Sequence, residues 1–327
     1  MIVTVTLNPS LDRTVTLTAP LTRGAVQRVD SVTVEAGGKG INVAKALTSA
    51  GVDALALLPA ATDDPLLTAL RCADVPFAAV PIAEPVRTNI AITENDGTTT
   101  KLNERGATLD AAALDAITRC VVDEAQHAAW VVLSGSLPPG VPPQWYADVV
   151  ARLAPLPCRV AVDTSDAPLA ALASKLSTAS PELMKPNVEE LASISGVAEA
   201  DLETTVAEGD LSLVVAAAVK LVERGVGAVL ATLGAAGAVL VDGTGAWFAA
   251  PPPITARSTV GAGDASLAGY LRAEVGGAEP SQRLRMAVAY GGAAAALPGS
   301  ALPVPAQLDL DAVRVTDLIT TNREVLQ

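Results

Sequence analysis

The chain reads as an α/β protein, with a mostly parallel sheet covered by helices on both faces and a small β lid outside those layers. Short Val-, Ile- and Leu-rich runs alternate with Ala-rich segments whose apolar residues recur every three to four positions, the period of a buried helix face. Two β-rich segments break that alternation. Hydrophobic residues make up 50% of the 327 residues but aromatics only 2%, so the core is built from Ala, Val and Leu rather than from rings.

Taken in order, "IVTVTL" from Ile2 is the first buried strand, and "NPSLDRT" places Asn8, Ser10 and Asp12 at its carboxyl end. In open α/β sheets ligands bind at such ends. "RTVTLT" and "RVDSVTVE" alternate polar and apolar residues, and "VRTNIAITENDGTTTKLN" is a hairpin turned at Asn95, Asp96 and Gly97. These segments place lid strands within about residues 12–35 and 86–104; the alternative is that they edge the main sheet. "DALALL", "AWVVLS", "CRVAVD" and "GAVLATL" are further buried strands. The longest uncharged apolar run, Gly225 to Val241, is broken by the turn "TLGAAGA", so no membrane span is expected. No internal repeat or linker is visible, and 1–327 is expected to form a single domain.

Charge and rare residues narrow the function classes. A net charge of -13 argues against nucleic acid or an anionic membrane as partner, so any anionic ligand must meet locally concentrated cations. Cys72, Cys120 and Cys158 are scattered and odd in number, which fits reduced thiols in a cytoplasm. His127 is the only histidine, which removes any multi-histidine metal site and any triad that does not use it. "MIVTVTLNPSLD" has no basic segment ahead of an apolar one, so no signal peptide is expected.

Three constellations carry chemistry. In "STVGAGDASLAGYL", Gly261, Ala262 and Gly263 lead into an apolar helix with Asp264 at the junction. Small residues at a helix start leave N–H donors open to an anion, and a carboxylate beside them suits a base that takes a proton from a hydroxyl. The simpler reading of Asp264 is a helix cap. In "EAGGKGINVAKALTSAG", Gly37, Gly38 and Gly40 surround Lys39 ahead of a second helix, a combination able to hold phosphate or sugar hydroxyls. In "MKPNVEEL", Lys185, Asn187 and Glu190 follow an apolar run; Asn187 and Glu190 share a helix face and suit either a magnesium ion held through water or a plain capped helix. Arg87, in the lid, adds a cation. No Walker-type P-loop is present.

Together these motifs resemble the ribokinase-like, or PfkB, family of sugar kinases. "GGKGIN" resembles its first signature and "GAGD" its second, with "NPSLD", "SGSLPPG", "KPNVEE" and "TLGAAGA" in matching order between or beside them. The resemblance covers nearly the whole chain. "STVGAGD" is similar to the branch whose acceptors are already sugar phosphates, and "RGAVQRV" and "TKLNERG" lean toward fructose 1-phosphate. Arg105 departs from that last motif, where proline is the family's residue.

The resemblance implies a ribokinase-like fold and an ATP-dependent, magnesium-using phosphotransferase. Its expected acceptor is fructose 1-phosphate, with tagatose 6-phosphate or fructose 6-phosphate as alternatives and a non-catalytic sugar-phosphate sensor as the reading from another class. Asp264 would be the catalytic base, helped by the backbone of Gly261, Ala262 and Gly263. Ser10, Asp12, Gly37, Gly38, Asn42 and Ser136 would meet the sugar, with Lys39 and Arg87 at its existing phosphate. Lys185, Asn187, Thr232, Gly234, Gly237 and Thr259, together with Gly261 and Gly263, would border the nucleotide, and Asn187 and Glu190 would act on magnesium through water. A homodimer through the lid is the implied assembly.

Overall fold

A computed structural model describes residues 1–318. The chain enters at β1 (Ile2–Val5), then forms β2 (Ser10–Thr16) and β3 (Ser31–Gly37) before α1 (Lys39–Ser49) and β4 (Ala54–Ala60). Next come α2 (Pro65–Cys72), β5 (Phe77–Pro81), β6 (Arg87–Thr93), β7 (Thr99–Asn103) and α3 (Ala111–Ala125). A run of alternating elements follows: β8 (Trp130–Ser134), α4 (Trp145–Leu153), β9 (Arg159–Asp163), α5 (Asp166–Ser174) and β10 (Leu183–Met184). Helices α6 (Val188–Ser195), α7 (Glu199–Ala207) and α8 (Ser212–Glu223) precede β11 (Ala228–Thr232), β12 (Ala238–Asp242) and β13 (Gly245–Ala250). The described chain closes with α9 (Ala262–Val275), α10 (Pro280–Ala295) and β14 (Arg314–Asp317).

The main sheet has ten strands in the order β14-β13-β12-β11-β10-β9-β8-β1-β4-β5. From β5 to β11 all pairings are parallel, while β11 to β14 meander antiparallel at one edge. Strand alternation sorts side chains between two cores. Val3, Val5, Val131 and Leu133 pack with α3, α4 and α8, whereas Ile2, Trp130 and Val132 face α1, α9 and α10. The few rings and many alanines let helices sit close: a Cβ at Gly269 of α9 would come 2.6 Å from the Met286 carbonyl of α10.

The lid is a separate four-stranded sheet, β3-β2-β6-β7, in which β2 and β6 are parallel. None of its strands edges the main sheet. Two of its connections to the core are short: β2 leaves the end of β1 after Asn8, and β3 runs straight into α1 through Gly37 and Gly38. Both junctions therefore lie over the carboxyl ends of the central strands. Val32, Val34 and Leu102 of the lid are exposed.

Candidate active site

Parallel strands deliver their carboxyl ends to one side of the sheet, and here β9 ends in Asp163 while Lys185 follows β10. Asp163 is 1% exposed. Its Oδ1 accepts a hydrogen bond from Lys39 Nζ at 2.8 Å, and Lys185 Nζ lies 3.2 Å from Oδ2, an ion pair without hydrogen-bond alignment. Burial alone would push the Asp163 carboxyl up; Lys185 and Lys39 reverse that and hold it below the usual carboxylate range. Burial likewise opposes charge on Lys39, yet Asp163 keeps its ammonium above the usual lysine range.

Asp264 sits in the first turn of α9, which opens at Gly261 with φ 77°. Only 6% of its surface is exposed, and it caps no backbone N–H. The capping account of Asp264 therefore fails: Oδ2 instead accepts a hydrogen bond at 2.8 Å from Asn42 Nδ2, in the first turn of α1. Burial, with Asp163 adding like charge, raises its carboxyl to about 6, against the pull of Asn42, Lys39 and Lys185. Beside it a Cβ on Gly263 would stand 3.3 Å from Lys185 Nζ, so the small residue keeps that ammonium against the helix start.

A cavity of about 940 Å³ spans this centre. Its lid end holds Ser10, Asp12, Gly38, Asn42 and Arg87. Ser10 Oγ and Asn89 Nδ2 both donate to Asp12 Oδ1, at 2.7 and 3.0 Å. Gly37 lies behind this group rather than on the wall, and a Cβ there would overlap the Asp12 carboxylate. Ser136 is also set back, accepting a hydrogen bond from Asn8 Nδ2 at 3.2 Å. Burial lowers the Arg87 guanidinium from its usual range, with Asp12 opposing, and Arg87 Nε is buried without a partner.

The other end is bordered by Lys185, Asn187, Thr232, Gly234, Gly237 and Thr259, with Pro251 to Pro253, Gly291 and Ala295 as an apolar wall. Asn187 and Glu190 form a reciprocal cap on α6: Asn187 Oδ1 accepts from the Glu190 N–H at 2.7 Å and Glu190 Oε2 from the Asn187 N–H at 2.8 Å. Both still line the cavity, and burial pushes the Glu190 carboxyl up. Among the described residues no group of three His, Cys, Asp or Glu side chains could cage a metal ion.

Lys39 and Arg87, expected together at one phosphate, line the same cavity; Lys39 is tied to Asp163 beside Asp264, whereas Asp12 is the carboxylate that acts on Arg87. Sequence reading missed Asp163 and Asn89. An acidic residue ending the buried strand "CRVAVD" was the available signal for the first; the lid register, unreadable from the hairpin alone, decides the second.

The geometry is matched by known sequences. The profile described as pfkB family carbohydrate kinase matches residues 5–307. The chain belongs to this family. As a pfkB carbohydrate kinase it is a phosphotransferase with a hydroxyl acceptor. A 1-phosphofructokinase from Rhodobacter capsulatus is 37% identical over 320 residues, 96% of each chain. One from Escherichia coli is 31% identical over 291 residues, 88% of each. Among solved structures, phosphofructokinase-2 from Escherichia coli in complex with substrates and products aligns with a TM-score of 0.83 and 30% identity, over 94% of this chain and 96% of that one. Ribokinase from Thermotoga maritima, at 18% identity, shares the fold with a TM-score of 0.73, over 95% of this chain and 98% of that one.

Proposed function

We propose that this pfkB kinase transfers the γ-phosphoryl group of ATP to the free primary hydroxyl of fructose 1-phosphate, giving fructose 1,6-bisphosphate and ADP. The observation that carries the reading is the buried Asp264 carboxylate at the head of α9, beside two lysines and facing one continuous cavity. A base poised near neutrality takes the hydroxyl proton as the oxygen attacks phosphorus in line. Backbone N–H groups of Gly261, Ala262 and Gly263 and the Lys39 and Lys185 ammonium groups stabilise the charge on the transferred group. Ser10, Asp12, Gly37, Gly38 and Asn42 orient the sugar, and Arg87 and Ser136 serve its existing phosphate. Lys185, Asn187, Thr232, Gly234, Gly237 and Thr259 border the nucleotide.

The donor set fits magnesium carried on the nucleotide's own phosphates. Glu190 Oε1 accepts no hydrogen bond among the described residues, which leaves one carboxylate oxygen for a hydrated ion, and magnesium keeps several of its waters. When bound, the ion neutralises phosphate charge; Asn187 and Glu190 would hold its waters.

In this reading the whole chain, 1–327, works as one cytoplasmic kinase domain, residues 319–327 lying outside the described ones. The exposed Val32 and Val34 of the lid support pairing with a second copy, which light scattering would test. The choice of acceptor rests on the similarity to 1-phosphofructokinases, and the likeness to phosphofructokinase-2 keeps fructose 6-phosphate as the second reading. Steady-state kinetics on fructose 1-phosphate, fructose 6-phosphate, tagatose 6-phosphate and free fructose test it. The highest kcat/KM is expected for fructose 1-phosphate; a 6-phosphate in first place overturns the acceptor, and no ADP release with any sugar overturns the kinase reading.

A further inference from the structure

A second cavity, about 320 Å³, lies at the base of the lid between residues 84–87, which lead into β6, and 104–107, which leave β7. Arg87 lines both cavities, so its guanidinium stands on the wall between them. Arg105 lines only the smaller one. We propose that Arg105 is a second guanidinium for the acceptor's existing phosphate, completing with Arg87 a subsite at the base of the lid. This rests on the sugar-phosphate reading above.

Three chain segments converge there through one side chain. Asn8 Nδ2, just past β1, donates to the Arg105 carbonyl and to Ser136 Oγ, each at 3.2 Å. The turn after Arg105 is pinned in the same place: Gly106 has φ 100°, and a Cβ on it would overlap Asn8 Oδ1. Ser136 is fixed from the other side, because the Gly135 carbonyl accepts hydrogen bonds from Tyr146 Oη and Thr164 Oγ1, both at 2.9 Å. Arg87 Nη1 reaches the carbonyl of Glu104, the residue before Arg105, at 3.4 Å. The backbone frame is thus pinned, while part of the hydrogen-bonding capacity of the cations on it is unused. Arg105 is exposed and its guanidinium makes no hydrogen bond or ion pair among the described residues, whereas Arg87 Nε is buried without a partner.

The carboxylates that line the smaller cavity are turned to backbone N–H groups. Glu84 Oε2 accepts the Thr108 N–H at 2.9 Å and Glu104 Oε2 the Thr88 N–H at 2.7 Å. No carboxylate among the described residues lies within ion-pair distance of either guanidinium. Two guanidinium groups on one cavity, neither in an ion pair, repel each other less when an anion comes between them, and the fork geometry of arginine suits phosphate. Arg105 stands where the family's motif has proline, so this cation belongs to the chain and not to the family's shared pattern.

The test compares the wild-type enzyme with R105A and R105P, the second keeping a stiff turn. Calorimetric binding of fructose 1-phosphate, without nucleotide, is measured beside steady-state kinetics. Both variants are expected to raise Kd and KM for the sugar phosphate about tenfold, within the range for a lost hydrogen-bonded charge contact, and to leave kcat and the KM for ATP within about twofold. Sugar-phosphate constants within about twofold of wild type in both variants would overturn the proposal, as would equal weakening of ATP. If the wild type prefers a 6-phosphate, the acceptor reading fails alone, and the same comparison on that sugar decides the role of Arg105. Preference for free fructose overturns both.

Discussion

At the scale of single residues, the proposed base Asp264 should report itself through pH. With its carboxyl raised to about 6 by burial and by Asp163, kcat/KM is expected to rise with pH through that value and then level, because only the deprotonated form accepts the proton. D264N should lower kcat roughly 10²- to 10⁴-fold. The same substitution tests linkage. A raised carboxyl pKa means folding disfavours the charged form, so stability is full below the ordinary value of 3.8 and falls as pH rises through about 6. D264N, which still accepts from Asn42, should therefore be more stable than wild type at pH 7.5, on the order of 2 kcal/mol, with the gain vanishing near pH 4. Melting scans at both pH values check this; equal melting temperatures at pH 7.5 would contradict the buried-charge account.

Asp163 acts on the same centre through other groups. It holds Lys39 and Lys185 in place and adds negative charge near Asp264, which otherwise faces Asn42 and those two lysines. D163N should lower kcat by freeing the lysines and at the same time move the acid limb of the pH profile to lower pH, since a like charge has been removed. A lower kcat with an unmoved limb would leave Asp163 a purely structural partner.

Among the elements, α9 is the one whose placement matters most, because its first turn bears Asp264 and its last turn is anchored separately. Glu274 is buried and accepts hydrogen bonds from Trp130 Nε1 at 2.6 Å and from both terminal nitrogens of Arg159, whose guanidinium also lies 4.6 Å over the Trp130 ring. This clamp ties α9 to β8 and β9, the strands that place Asp163. E274A strands the indole N–H and uncouples a partly buried ion pair, a loss of about 2–4 kcal/mol, lower than for a fully buried pair because Arg159 reaches water. E274Q keeps the indole bond and should lose less. Denaturant titration of both variants separates them; equal losses would make the arginine contact the whole of the clamp.

For the whole molecule, the cavity divides by chain halves. Residues from Ser10 to Asn89 line its lid end, proposed for the sugar, and residues from Lys185 to Ala295 line the end proposed for the nucleotide, with Lys39, Asp163 and Asp264 where they meet. R87A is expected to raise the KM for the sugar phosphate about tenfold or more while leaving nucleotide affinity nearly unchanged. Equal weakening of both substrates would mean that Arg87 holds the lid rather than the ligand.

The layered α/β fold, the lid and most of the cavity's residues were legible in the sequence, because they rest on local rules. Strand runs such as "AWVVLS" declare burial on both faces, alternation in "VRTNIAIT" declares a half-solvated sheet, and glycines before Lys39 and Asp264 declare helix starts open to ligands. Pairings between residues far apart in sequence were not legible. Asp163 meets Lys39 across 124 positions and Asn42 meets Asp264 across 222. Such partners are chosen by strand order and helix docking, to which no local pattern points. That is why the sequence offered Asp264 as base or cap with equal ease, and grouped Lys39 with Arg87. Only the tertiary structure, by bringing the heads of α1 and α9 together over the end of β9, removed the cap and paired Lys39 with Asp163.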